Sequence, residues 1–220
     1  MSAESTLVTE RHFEYIRART APEGAFLSEL KEAARAAEIP AIWICPEQAA
    51  LMQILLRLQG ARDVVEVGTL AGYSAIAMAR ALPPDGTLRT IELLDRHADF
   101  AEEWIAKSDV ADRIEVLRGD ARAVLADMAN NSADACFLDA DKTGYAHYIQ
   151  ECLRIVRPGG LFLVDNAFAF GQLFDEQPTD REVPAVREFN EYMAGLSELE
   201  QVIVPIGDGM WVGVSRAVSP

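Results

Sequence analysis

Five carboxylates close short apolar runs in this chain: Glu66, Glu92, Asp120 (two residues past its run), Asp139 and Asp165. Acids gathered at one edge raise one another's pKa, so positive charge or hydroxyl donors must offset them. Asp139 opens the run Asp139-Ala140-Asp141-Lys142, and Asp165 is followed by Asn166. Taken singly, Asp141 with Lys142 reads as a loop ion pair worth at most ~1 kcal/mol, and Asp165-Asn166 as a turn cap. At neighbouring strand ends, however, Asp139, Asp165 and Asn166 offer three hard oxygens to one point. That set suits Mg²⁺ or Ca²⁺, with water or substrate oxygens completing the shell. The stretch Glu66-Val67-Gly68-Thr69-Leu70-Ala71-Gly72-Tyr73-Ser74 is a glycine-containing turn. Its glycines either ease a strand-to-helix turn or let the backbone approach a ligand closely. Leu70 stands where a dinucleotide fingerprint GxGxxG needs its second glycine, which disfavours a nicotinamide-dependent oxidoreductase. Glu92 is placed to accept two hydrogen bonds from a ribose diol. Asp120 would cap the following helix or line an adenine pocket, and these roles are compatible.

For these groups to meet, the chain must carry its strand ends to one edge. Strands are expected at residues 63–67, 87–92, 114–118, 135–139 and 161–165. They alternate with helices at 74–82, 95–107, 121–128, 145–156 and 183–196. The helix at 145–156 should stop at Pro158-Gly159-Gly160. Such alternation implies a parallel sheet with helices on both faces. Two last strands, at 200–206 and 210–214, flank Gly207-Asp208-Gly209 and must pair antiparallel. The expected fold is therefore α/β: a doubly wound, mostly parallel seven-stranded sheet with an antiparallel edge strand. In such sheets ligands bind outside the carboxyl ends of the strands. Residues 1–46 read as an N-terminal helical extension, with Phe13, Ile16, Phe26 and Leu30 needing burial. Residues 47–220 read as one globular unit, opened by a helix with apolar positions Leu51, Ile54, Leu55 and Leu58.

With 20 Lys and Arg against 35 Asp and Glu in 220 residues, the net charge is −15. A chain this acidic repels phosphate backbones and anionic bilayers, so neither nucleic acid nor membrane is expected as a partner. Cys45, Cys136 and Cys152 form no CxxC and have no histidine at zinc spacing. They fit a reducing, cytoplasmic setting rather than a disulfide scaffold or zinc site. No signal peptide is expected, and no apolar run nears the ~18 residues of a membrane span. His12, His97 and His147 read as surface or helix-face residues, residues 175–182 as a solvated loop or a gate to the acceptor site, and Trp211 as packing in its strand or walling a pocket.

Glu66-Val67-Gly68…Gly72-Tyr73-Ser74, Asp139-Ala140-Asp141-Lys142, Asp165-Asn166 and Pro205-Ile206-Gly207-Asp208-Gly209 together resemble the cation-dependent class I O-methyltransferases. These are the small catechol and caffeoyl-coenzyme-A O-methyltransferase-like enzymes, and the resemblance runs from about Pro46 to Arg216. It implies a Rossmann-like class I methyltransferase fold and S-adenosylmethionine as methyl donor. Glu66, Gly68, Thr69 and Ser74 would then hold the methionine part, Glu92 the ribose, and Asp120 and Ala121 the adenine. Asp141 and Tyr148 fall on cofactor-contacting positions, and Asp139 joins them beside its metal role. Ile44 stands where the family often has a small hydroxyl residue. Asp139, Asp165 and Asn166 would be the ligands of a divalent cation, with Asp139 and Lys142 catalytic and Lys142 the general base. The implied acceptor is a small hydroxylated, catechol-type molecule, and the implied assembly a homodimer. Where the family usually continues Asp-Asn with a Thr-Leu-Trp-type segment, this chain has Ala167-Phe168-Ala169-Phe170-Gly171. A homologue that binds S-adenosylmethionine but has lost catalysis is the rival reading.

Overall fold

The computed structural model describes residues 8–20 and 23–216. Three helices come first: α1 (Glu10–Arg17), α2 (Ala25–Ala36) and α3 (Pro46–Gln59). Then β1 (Asp63–Val67), α4 (Tyr73–Ala79), β2 (Thr87–Glu92), α5 (Asp95–Ala106), β3 (Ile114–Arg118), α6 (Ala121–Asp127) and β4 (Ala133–Leu138) alternate. The chain closes with α7 (Tyr145–Ile155), β5 (Val156–Val164), α8 (Val183–Ala194), β6 (Leu199–Val204) and β7 (Met210–Ser215). The seven strands form one sheet in the order β3-β2-β1-β4-β5-β7-β6. From β1 the chain winds outward through β2 to β3, then returns to the middle at β4 and winds the other way. That reversal leaves a crevice above the carboxyl ends of β1 and β4.

The central strands are apolar on both faces because helices cover both. Val64 of β1 joins a core with Met52 of α3, Ile76 of α4 and Leu30 of α2. Val65 and Val67 join the opposite core, with Leu125 of α6, Ile149 of α7 and Phe189 of α8. The two-residue strand period therefore sends Glu66 to the face of Val64, into the interior. α2 buries Leu27, Leu30 and Ala34, whereas α1 buries none of its residues, and Phe13 and Ile16 are only half-buried.

Two sequence expectations are corrected. The reversed strand is β7, antiparallel to β5, and it stands second from the edge, which β6 occupies. Pro158-Gly159-Gly160 lies inside β5 rather than ending a helix before it. Val156 pairs with Ala133, and a register shift before Ala135 absorbs the irregular run. Among the described residues no helix is long and apolar enough to cross a membrane.

Candidate active site

Strand register brings the expected residues together. Val67 pairs with Leu138, and the Asp139 N–H donates to the Val67 carbonyl at 2.9 Å. The Asp165 N–H in turn donates to the Leu138 carbonyl at 3.0 Å. Gly68, Asp139 and Asp165 thus follow three adjacent strand ends in one row. Above them lies a cavity of about 800 Å³. Ile44, Gly68, Thr69, Ser74, Glu92, Asp120, Ala121, Asp139, Asp141, Lys142, Tyr148 and Asn166 all line it. Glu66 and Asp165 do not; both are buried behind its surface.

At one end, Glu92 organises the turn after β1. One of its oxygens accepts the N–H groups of Thr69 (3.3 Å) and Leu70 (2.9 Å), and the other that of Leu94 (2.9 Å). The Thr69 hydroxyl meets that of Thr90 at 2.6 Å. Gly68 has φ +97°, and a Cβ there would overlap the Asp139 carbonyl oxygen and stand 2.9 Å from its carbon. Only glycine lets this turn pass so close to the end of β4. Asp120 both caps α6, accepting the Arg122 N–H at 2.8 Å, and faces the cavity. Asp141 accepts the Tyr148 hydroxyl at 2.7 Å and that of Thr143 at 3.0 Å. Tyr73, also on the wall, donates its hydroxyl to Glu23 at 2.6 Å, which ties the chain before α2 to this rim.

Glu66 is the acid beneath the floor. Its Oε1 accepts the Ser74 hydroxyl at 2.5 Å, while Oε2 has no partner. Burial pushes its pKa up to about 8 against the downward pull of the Ser74 and Thr90 hydroxyls. An unfolded glutamic acid titrates near ~4.3. Between these values the folded chain holds a proton that the unfolded chain has released, so Glu66 favours folding less as pH rises. The wild type is therefore expected to lose stability relative to Glu66→Gln as pH goes from 5 to 8, with the gap constant above about 8. Urea melts of both proteins across that range check this; a gap independent of pH would count against a proton on Glu66.

At the other end the groups are ionic. Lys142 is buried, and its Nζ stands 3.1 Å from Asp139 Oδ1 and donates to Tyr145 Oη at 2.7 Å. Its Nζ also lies 5.9 Å from the centre of the Phe170 ring. Asp165 Oδ1 accepts from Gln48 Nε2 of α3 at 2.7 Å. Burial first, and then the charge of Asp139, push the Asp165 carboxyl up to about 7, with Gln48 and Lys142 pulling the other way. Two carboxylates that oppose each other's ionisation beside one lysine leave negative charge a cation can neutralise. Asn166 has its nitrogen committed, Nδ2 donating to Asp208 Oδ2 at 3.1 Å, which leaves its carbonyl oxygen as the end for a metal. The donor set thus fits a hard divalent cation. Among the described residues no three His, Cys, Asp or Glu side chains form a metal-holding group; the expected set is two carboxylates and an amide.

Asp208, in the turn between β6 and β7, also accepts the N–H groups of Phe170 (2.7 Å) and Gly171 (3.0 Å). It holds a loop in which Asn166, Ala169 and Phe170 all have positive φ. Gly209 completes the fit, since a Cβ there would come within 2.8 Å of the Phe168 ring. Trp211 packs as expected, buried against the second core with Nε1 donating to Asn190 at 2.8 Å.

His97 stands on a helix face, as its sequence position suggests, and that face turns toward the site. It lines the cavity with Nδ1 3.6 Å from Glu92 Oε1, because the first turn of α5 doubles back over the end of β2. Gln48 and Tyr145 carried no sequence signal for the site, because they act across a long stretch of chain or through a neighbour's side chain; Asp208 stood in the Pro205–Gly209 motif, but its partners could not be read there. Tyr145 sits three residues past Lys142, a helical spacing that places both on one face.

Residues 17–216 match the model of a family described as O-methyltransferase. A catechol O-methyltransferase of Niastella koreensis is 36% identical over 186 residues, covering 83% of this chain and 84% of that relative. The O-methyltransferase of Bacillus cereus, solved in complex with SAH, superposes with a TM-score of 0.83 at 31% identity, covering 92% of this chain and 96% of that one. TomG of Streptomyces achromogenes, solved in complex with SAM, gives 0.82 at 32% identity, covering 96% and 100%.

Proposed function

The chain belongs to the O-methyltransferase family and uses S-adenosylmethionine, and on that premise we propose that it methylates one hydroxyl of a small vicinal dihydroxy aromatic with the help of a divalent cation. The observation that carries the proposal is the Lys142 Nζ, buried 3.1 Å from Asp139 Oδ1 on the wall that Asn166 shares. A sulfonium donor supplies an electrophilic methyl group, and an acidic rim is a tolerable home for its positive charge. Glu92 would hold the ribose, with Asp120 and Ala121 at the adenine. Ile44, Gly68, Thr69 and Ser74 would border the methionine part, Ser74 fixed from below by Glu66. Asp141 and Tyr148 would close the cofactor side. Asp139, Asp165 and Asn166 would hold the cation, whose chemistry is to lower the pKa of a chelating hydroxyl from its usual ~10.

Lys142 Nζ, as the free amine after its own extra proton has left to solvent, is the group that takes the acceptor's proton, with Asp139 Oδ1 and Tyr145 Oη holding the amine in place. Trp43 and Phe170, on the cavity wall, keep water from the reacting oxygen. Methyl transfer is an in-line displacement, so alignment is most of what the protein contributes. The family resemblance and the unpaired cysteines support a cytoplasmic homodimer as its setting.

With S-adenosylmethionine and catechol, the purified protein is expected to form the monomethyl ether, seen by mass spectrometry. Turnover should stop on exhaustive chelation and return with Mg²⁺. A rate that survives chelation removes the cation from the proposal; transfer to no dihydroxy aromatic removes the acceptor.

A further inference from the structure

Glu182 is the N-cap residue of α8, yet its side chain makes no capping hydrogen bond. The helix entrance is served instead by Asp180 Oδ1, which accepts the Glu182 N–H at 2.8 Å. The Glu182 side chain lines the cavity beside Lys142, Asn166 and Phe170, half-buried. Among the described residues no lysine, arginine or histidine pairs with it, and no donor reaches its carboxylate. The other acids on this wall are engaged: Asp139 by Lys142, and Asp141 by Tyr148 and Thr143. The charge of Glu182 reaches the same buried hydroxyl, Tyr145, that Asp139 and Asp165 act on. Arg122, which forms no ion pair among the described residues, follows Asp120 at the opposite end of the cavity wall. Beyond the Asp139, Asp165 and Lys142 group assigned above to a cation, the acceptor end therefore carries the carboxylate of Glu182, which has no cationic partner among the described residues.

A half-buried carboxylate left unpaired on a binding wall discriminates by charge. It favours a ligand whose cationic group arrives there and penalises an anionic one, since like charges at close quarters are costly in a partly desolvated site. We propose that Glu182 is a specificity-determining residue that selects acceptors bearing a positively charged arm, such as a protonated amine, and turns away acceptors bearing a carboxylate or a polyphosphate. This rests on the dihydroxy-aromatic reading above and goes beyond it by naming the substituent.

The test uses three catechols with arms of equal length, ending in an ammonium, a methyl or a carboxylate group. Their kcat/KM values are compared in the wild type, Glu182→Gln and Glu182→Lys, each normalised to the methyl-armed catechol. The wild type is expected to rank ammonium over methyl over carboxylate, with about tenfold for each step. Glu182→Gln should compress the ranking to within about threefold, and Glu182→Lys should invert it. Added salt should shrink the wild-type ranking. An unchanged ranking in Glu182→Lys overturns the assignment of Glu182 while leaving the dihydroxy-aromatic reading intact. No turnover of the methyl-armed catechol by the wild type overturns that reading, and this inference with it.

Discussion

A Lys142→Met protein is expected to bind S-adenosylmethionine within about threefold of the wild type while its turnover falls about 10³-fold. Methionine nearly matches the apolar stem of lysine, so the buried site between Asp139 and Tyr145 stays filled. What disappears is the one nitrogen at this end of the cavity, among the described residues, that can accept a proton from the acceptor. A role through charge alone makes a different forecast for Lys142→Arg. Arginine would keep the positive charge beside Asp139, but a guanidinium does not give up its proton at working pH and so cannot serve as a base. Lys142→Arg is therefore expected to stay as slow as Lys142→Met. Single-turnover rates with calorimetric binding of the donor separate the cases, and an arginine variant within a few-fold of wild-type rate would overturn the assignment of Lys142 as base.

The second large effect is expected from one methyl group. Gly68→Ala should lower Tm by about 6–12 °C and weaken S-adenosylmethionine binding more than tenfold. Two costs coincide there. The φ of +97° is strained for any L side chain, and the new Cβ collides with a backbone carbonyl at the end of β4, which cannot rotate away as a side chain would. Together these amount to about 3 kcal/mol, and the turn must move to relieve them. Moving it breaks the amide contacts of Thr69 and Leu70 with Glu92, which shape the cofactor end. Gly60→Ala is the control: it also has positive φ, at +65°, but open space around it. Scanning fluorimetry of both variants, with and without the donor, reads the difference. Equal small shifts in both would mean that the close approach at β4 does not matter.

How much of this was legible follows from distance along the chain. The strands announced themselves through apolar runs bounded by acids and glycines, and strand alternation with helices is enough to place those acids at one edge. Asp139 and Lys142, or Gly68 and Ser74, lie within one turn of chain and so read as motifs. Gln48 and Asp165 could not: they lie 117 residues apart and meet only because α3 packs beside the end of β5. Asp208 was visible as part of a glycine-flanked turn, but its hold on Phe170 and Gly171 depends on β7 lying next to β5, and the sequence reading put the reversed strand at the edge instead. The family resemblance gives Glu66 a cofactor-contacting role, and its depth beneath the cavity floor could not be read, since strand periodicity tells which face a residue takes and not how deep it lies. His97 reads from sequence only as a helix-face residue because it ends no strand; its place in the first turn of α5, beside Glu92, shows in the fold.

One carboxylate in the last hairpin anchors the whole loop after β5, since Asn166, Phe170 and Gly171 all donate to Asp208. The loop is in effect a cassette seated in the hairpin, where the Gly209 and Asp208 carbonyls also accept the Ala167 and Phe168 N–H groups, and it is held from its other side by Asn190 and Arg187 of α8. Ala167 and Ala169 are buried in that seat and fix it, whereas Phe170, exposed at the cavity wall, can be exchanged for a residue of different bulk without reaching the cofactor half, at Glu92, Asp120 and Asp141. Diversification of acceptor choice and preservation of donor chemistry are then separable tasks for this scaffold, and a library centred on Phe170, which faces the cavity, is where new acceptors should be sought.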